Sequence, residues 1–369
     1  MSLCAQNKTK MSQRQSTTIR DVVWRNASRL NNLLDTSPDG RWVLCTTYDG
    51  RVVRVCDART GATSFTVPLP SDVQIRCVAV SPDSSSFAVG AYNTCNVYMA
   101  SLTAQNTEFK VFRGHTGRLL DMCFSQDVQR LVTCASDKTV RIWDVLTEEQ
   151  MHLVQSEVWV NAVVFIPNST LVAYGDERGR VHLWDVQSGQ HIRALYGEQF
   201  SIQRLACSNN GRWLASASDE CLCIWSLADF KVHRKHYMAY PIRDVTFSPN
   251  SKFVALATGA VCYVWTVEDG VLRYILDDPS MQYVVEDAHM RHILRHNHMH
   301  STITTVRFIG GSSYMLATCR LEDIGAEVWD LRAPFQNNVL AALARQDWRR
   351  FFRDRDGDNT ASTRVLEFM

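Results

Sequence analysis

Tryptophan recurs in step through the middle of this chain. Trp143, Trp184, Trp225 and Trp265 are separated by 41, 41 and 40 residues. Each ends a short apolar run: Arg141-Ile142-Trp143-Asp144, His182-Leu183-Trp184-Asp185, Cys223-Ile224-Trp225-Ser226 and Tyr263-Val264-Trp265-Thr266. A fixed period of about 40 residues is the mark of one supersecondary unit copied along a chain, each copy needing its neighbours to cover its apolar faces. Counting backwards, Met99 and Cys56 take the tryptophan position, and Glu327-Val328-Trp329-Asp330 repeats the motif once more after a gap of 64 residues.

A second landmark keeps step with the first. Ser37-Pro38-Asp39-Gly40, Ser81-Pro82-Asp83, Ser208-Asn209-Asn210-Gly211 and Ser248-Pro249-Asn250 are turn sequences, each following an alternating apolar stretch and preceding another short strand. The unit therefore reads strand, turn, strand, Asp-containing turn, strand ending in Trp, with no helical period between units. Seven units can be counted, starting near Leu30, Gln74, Arg118, Trp159, Ser201, Pro241 and Thr302. The expected class is all-β.

Gly114-His115, Asp137 and Trp143-Asp144 together resemble a WD40 repeat, and the resemblance runs from about Asp21 to Leu331. It implies a seven-bladed β-propeller of four-stranded antiparallel blades. In that family a His, Ser/Thr, Asp, Trp chain of hydrogen bonds pins a blade, and the third unit matches at every place with His115, Thr133, Asp137 and Trp143. These four are expected to be structural. Asp219 with Trp225 and Asp323 with Trp329 keep the turn Asp, whereas the fourth unit has Arg178 there. The resemblance also implies a clasp in which an N-terminal strand, here Thr17 to Trp24, completes the last blade.

The domain plan is a polar tail over 1–16, the propeller over 17–335 with an insertion at about 277–299, and a helix-prone appendage over 336–369. The insertion carries His289, His292 and His296, which would share a helix face, then His298 and His300. A metal site, a pH-responsive loop and a solvated loop are all compatible with that pattern. The appendage sets Trp348, Phe351 and Phe352 among arginines, a surface costly in water unless it packs back on the propeller or enters a partner.

WD40 ligands commonly sit on the face around the central channel, at the start of each innermost strand. Read by phase, that ring comprises Gln74 and Arg76, Arg118 and Leu120, Trp159 and Asn161, Ser201 and Gln203, Pro241 and Arg243, Thr302 and Thr304, with Leu30 and Asn32 completing it. Arginine forks pair with carboxylates and phosphates, and tryptophan anchors apolar contact, so an acidic or phosphorylated peptide of a partner protein is the expected ligand. Arg76, Arg118, Trp159, Asn161, Gln203 and Arg243 are its candidate contacts, with Trp348, Phe351 and Phe352 beyond the ring.

Two other readings stay open. Trp329-Asp330-Leu331-Arg332 matches the ending by which some WD40 proteins resemble substrate receptors of cullin-type ubiquitin ligases, which would make Arg332 an adaptor contact. The Trp348 to Arg355 segment could alternatively touch RNA in a ribonucleoprotein particle.

Bulk properties exclude much else. The 369 residues carry 39 basic and 38 acidic side chains, a net charge of +1, so no global field draws the chain to nucleic acid or anionic membrane. No stretch has the apolar length of a membrane span. The start lacks the apolar core of a secretory signal, and the 12 cysteines scatter through apolar runs, so a reducing cytoplasmic or nuclear setting is expected. No phosphate-cradling loop, zinc helix, paired-cysteine site or nucleophile elbow is present. The expectation is a non-catalytic scaffold subunit of a multiprotein assembly, without cofactor or small-molecule substrate.

Overall fold

The computed structural model describes residues 34–46, 50–58, 62–102, 108–197, 199–238, 240–258, 261–276, 303–310, 312, 315–320 and 326–330. The chain divides after Asp330 into two compact units, and the second, Leu331–Met369, lies outside the described residues. So do Thr17 to Trp24 and the His-rich insertion.

The strands form six four-stranded antiparallel sheets and one of three strands, each running up and down in sequence order. Their innermost strands are Leu34–Thr36, Ile75–Val80, Leu119–Phe124, Val160–Phe165, Arg204–Cys207, Ile242–Phe247 and Ile303–Phe308. Each packs against the next, and Ile303–Phe308 lies against both Ile242–Phe247 and Leu34–Thr36, which closes the circle. Among the described residues the chain is thus an all-β propeller with six complete blades. Against the expected seven four-stranded blades, the last unit shows only Ile303–Phe308, Met315–Arg320 and Ala326–Asp330 among the described residues.

The tryptophan period becomes a strand register. Trp143, Trp184, Trp225, Trp265 and Trp329 lie opposite Leu131, Val172, Leu214, Val254 and Leu316 on the preceding strand, and Cys56 holds the same place opposite Val43. Met99 does not. The residue facing Phe87, the second blade's counterpart of Leu131, is Ala100, because the longer hairpin through Tyr92 to Asn96 shifts the position by one.

The serine turns explain why the inner hairpins recur. Ser37 Oγ donates to Asp39 Oδ1 (2.6 Å) and accepts from Trp42 N–H (2.8 Å). Ser81 with Asp83 and Ser86, Ser125 with Asp127 and Arg130, Ser208 with Asn210 and Trp213, and Ser248 with Asn250 and Phe253 repeat the pattern. A short polar side chain satisfying the turn's own backbone lets the chain reverse while Ser37, Ser81, Ser208 and Ser248 stay fully buried.

Middle strands read as unbroken apolar runs because blades stack on both of their faces. The core is accordingly a series of wedges between consecutive blades. Cys77, Phe112, Met122, Leu131 and Trp143 fill the second-to-third wedge, and Val132, Ile142, Val163, Tyr174 and Trp184 the third-to-fourth. Burying each large side chain contributes about 1.5–3 kcal/mol. Cys45, Cys134 and Cys262 are buried, and burial pushes the Cys77 and Cys123 thiols up to about 12, so these cysteines behave as small core residues.

The first and last units meet backbone to backbone. Gly40 sits at φ +73°, and a Cβ there would lie 2.6 Å from the carbonyl oxygen of Gly310, so glycine is required for this approach. Thr36 Oγ donates to Phe308 O (2.9 Å) across the same seam.

Candidate docking face and channel

The innermost strands are irregular where they enter the ring. Register shifts between Ile75 and Cys77, Leu119 and Asp121, Val160 and Ala162, Ile242 and Asp244, and Ile303 and Thr305 pass over Arg76, Leu120, Asn161, Arg243 and Thr304 in the register with the second strand. A β-bulge re-aims the extra side chain. The second member of each predicted pair is therefore a bulge residue in five blades, and Gln203, whose N–H donates to Ala217 O (2.8 Å), holds the corresponding place in the fifth.

These residues differ in how free they are. Arg76 and Arg243 are exposed. Arg118 is exposed but tethered, its Nη1 donating to Tyr92 Oη (2.6 Å) with the guanidinium over the same ring. Trp159 is 52% exposed. Asn161, by contrast, spends its amide on the fold: Nδ2 donates to Ser201 Oγ (2.9 Å) and Ile202 O (3.2 Å), tying the fourth blade to the fifth. Leu30, Asn32, Thr302, Arg332, Trp348, Phe351 and Phe352 lie outside the described residues.

Sequence phase found Trp159 but missed the other five members of an arc of aromatics on the same face. The exposed aromatic side chains among the described residues are Tyr92, Trp159, Tyr196, Phe200, Tyr237 and Tyr240. Trp159, Phe200 and Tyr240 lie in blade-to-blade connections, Tyr196 and Tyr237 end outermost strands, and Tyr92 follows a second strand. Antiparallel order puts all these positions at the end where innermost strands begin. Their signal in the sequence was an aromatic outside the apolar alternation.

Inside the ring, charged side chains replace apolar ones on the innermost strands. Asp35 Oδ2 accepts Val80 N–H (2.8 Å), Asp121 Oδ2 accepts Val163 N–H (3.0 Å) and Asp244 Oδ2 accepts Val306 N–H (3.0 Å). Each carboxylate thus takes a backbone N–H of the innermost strand of the next unit. Arg307 on the last unit pairs with Asp244 on the sixth and, at 3.3 Å, with Asp35 on the first. Burial pushes the Asp35 carboxyl up, with Arg307 opposing, and pushes Asp121 up to about 6, with Arg204 opposing. A charged residue inside an apolar strand was the available signal.

The third blade carries a continuous polar chain. Trp143 Nε1–H donates to Thr133 Oγ (2.9 Å), Thr133 Oγ lies 2.8 Å from His115 Nε2, and His115 Nδ1 lies 2.9 Å from Asp137 Oδ2. Burial lowers the His115 pKa, so the ring is neutral, and the polarity of the groups runs Trp to Thr to His to Asp. Burial works against Asp137, but hydrogen bonds from His115, Thr139 and Thr116 outweigh it and hold the carboxyl far below its ordinary range. Thr133 is fully buried, with its hydroxyl engaged by both neighbours in the chain.

The fourth blade solves the same problem differently. Asp176, two residues before the Arg178 that stands at the expected Asp position, is fully buried and accepts from Arg178 N–H (3.0 Å), Arg180 N–H (2.9 Å) and Arg180 Nε–H (2.7 Å). In the fifth, Asp219 is exposed and Ser218 closes the turn on Cys221, while Trp225 Nε1–H donates to Ser216 Oγ (2.9 Å).

The repeat geometry is matched by comparison with known proteins. The WD domain, G-beta repeat model matches residues 106–144, 148–185 and 189–226. A Drosophila melanogaster protein named Protein LST8 homolog is 30% identical over 238 residues, which cover 60% of this chain and 74% of the relative. This chain belongs to the WD40-repeat family. Other WD40-repeat relatives are a Rattus norvegicus protein named Target of rapamycin complex subunit LST8, 23% identical over 60% of this chain and 72% of its own length, and a Saccharomyces cerevisiae guanine nucleotide-binding protein subunit beta, 28% identical over 50% of this chain and 45% of its own length.

Proposed function

We propose that this WD40 chain is a non-catalytic subunit of a multiprotein complex, docking partner proteins on the face where the innermost strands begin. The observation that carries this reading is the gathering of all six exposed aromatics of the described residues on the face that also bears Arg76, Arg118 and Arg243. Aromatic and arginine side chains dominate the binding energy of protein interfaces, and guanidinium forks favour an acidic or phosphorylated segment in the partner. The relatives named as LST8 and as a target of rapamycin complex subunit make a complex of that kind the first to test. In the same reading the ring is seven-bladed, with Thr17 to Trp24 supplying the fourth strand of the last blade.

The test is affinity purification from native extract with mass spectrometry. Trp159→Ala with Tyr237→Ala and, separately, Arg76→Ala with Arg118→Ala and Arg243→Ala are compared with Leu146→Ala, an 82% exposed residue at the opposite end of the blades. A stable partner set retained in Leu146→Ala and lost in a face variant supports the reading. Folded protein without stable partners overturns it, and partners lost only in Leu146→Ala move the surface to the other face.

A further inference from the structure

On the outer half of the fourth blade two imidazoles meet. His182 lies on the third strand, Arg180–Asp185, and His191 on the outermost, Gln190–Tyr196. A register shift between Leu183 and Trp184 skips Ile192 and sets His191 opposite Trp184, so that it reaches diagonally to His182. His182 Nδ1 and His191 Nε2 are 3.2 Å apart. His182 Nε2 lies 3.1 Å from Asp176 Oδ2, and Tyr174 stacks flat on the His182 ring, centroids 4.7 Å apart at 10°. Asp176 is fully buried, and although burial opposes ionisation, hydrogen bonds from His182 and Arg180 keep its pKa below the ordinary value.

This arrangement has the parts of an imidazole metal site. Two nitrogens each about 2.0–2.1 Å from one tetrahedral ion stand about 3.3 Å apart, the spacing already present. A ligating histidine usually gives its second N–H to a carboxylate, which fixes the tautomer and turns the other nitrogen outward. His182 does this with Asp176, leaving Nδ1 as the lone-pair nitrogen. His191 is exposed, so the pair opens to solvent and water or a partner's side chain can complete the coordination.

We propose that His182 Nδ1 and His191 Nε2 form a two-histidine site for a borderline divalent cation of the zinc class, oriented from behind by Asp176. Binding replaces the hydrogen bond between the rings. The proton on His191 Nε2 moves to its Nδ1, both rings stay neutral, and the two freed lone pairs bind the ion. Hard, oxygen-preferring ions such as Mg2+ are disfavoured by an all-imidazole donor set.

The experiment uses the full chain and reads each histidine separately, because a bulk Zn2+ assay would not distinguish this pair from His289, His292, His296, His298 and His300. Carbethoxylation by diethyl pyrocarbonate is followed by peptide mass spectrometry across a Zn2+ titration, with Mg2+ as control. His191 is expected to become protected at saturating Zn2+ and not by Mg2+. Protection should vanish in His182→Gln and shift to about tenfold higher Zn2+ in Asp176→Asn, the usual size of an outer-shell effect. Circular dichroism melts confirm that each variant is folded, and His191→Gln, at an exposed position, provides a second variant in which His182 must lose its own Zn2+ protection. Equal His191 modification with and without Zn2+, or protection that persists in His182→Gln, overturns the proposal.

Discussion

The third and fourth blades share strand order, hairpin turns and the place of the tryptophan, yet hold their third strands by different chemistry. In the third, four side chains from four segments of the blade form one chain across it. In the fourth, Tyr174 occupies the Thr133 register position and Arg178 the Asp137 position, and a carboxylate moved two residues back takes over. Asp137 accepts the N–H groups of Thr116 and Thr139 at 2.9 and 3.0 Å, and Asp176 those of Arg178 and Arg180 at 3.0 and 2.9 Å. What the fold demands is a buried acceptor for the backbone of that turn. Which residue supplies it is free to vary, provided the carboxylate keeps enough donors around it.

The largest effect expected from breaking this equivalence is on Asp176. Asp176→Ala leaves the Arg180 guanidinium and the turn N–H groups without their acceptor and should cost about 3–5 kcal/mol in urea unfolding, matching Asp137→Ala. A cost below about 1 kcal/mol at Asp176 would show that the fourth blade is pinned elsewhere. Both carboxylates have pKa values below the ordinary 3.8, so the unfolded chain binds protons before the folded one does. Their contribution is therefore complete above about pH 4–5 and is lost as the pH falls through the folded values, and the gap between wild type and Asp137→Asn should narrow toward low pH.

Next in size is the Thr133 hydroxyl, whose register position in the fourth blade is taken by Tyr174. Thr133→Val strands Trp143 Nε1–H and His115 Nε2 in a dry interior and should cost about 2–4 kcal/mol. Its counterpart, Tyr174→Phe, keeps the ring stacked on His182 and should cost under about 1 kcal/mol. Equal losses would contradict the separate roles of the two positions.

The boundary between these blades carries an opposite pH dependence. Asp121 on the third caps Val163 of the fourth and titrates at about 6 instead of 3.8, so the folded state holds its proton longer than the unfolded chain does. Its penalty is absent below about pH 4, grows between pH 4 and 6, and is constant above. Asp121→Asn, which keeps an oxygen for Val163, should gain about 1–2 kcal/mol at pH 7.5 after allowance for solvent screening, and nothing at pH 3.5. An equal effect at both pH values would remove titration as its cause.

The smallest effect lies in the inner hairpins. Val128 in the third blade has φ 60°, whereas the fourth has Asn168 at φ 59°, a residue that tolerates this conformation. Val128→Asn should raise stability by about 0.5–1 kcal/mol, read as a higher melting temperature. No gain would mean that Val128 packing offsets the backbone strain.

The blade count to Pro241, the turn positions and the tetrad were legible because each rests on residues of one unit, repeated in phase. The ring positions Arg76, Arg243 and Gln203 were legible by the same phase. Met99 was misplaced by one because a single extra hairpin residue is invisible to counting when no tryptophan marks the register. Asp176 was passed over since the expected position, not the acceptor role, was sought. The engagement of Asn161 with Ser201 and of Arg118 with Tyr92 joins residues of different units. Nothing in one unit's own pattern specifies such a pairing.

By itself the sequence determined the repeat, because hydrophobic alternation and turn chemistry act over a few residues and leave their period in the chain. Tertiary structure alone decided which face gathers the aromatics, which carboxylates meet Arg307 across the closure, and that His182 and His191 come within 3.2 Å. These depend on bulges and on ring closure, which bring together side chains as far apart in sequence as Asp35 and Arg307, and no local propensity encodes that distance.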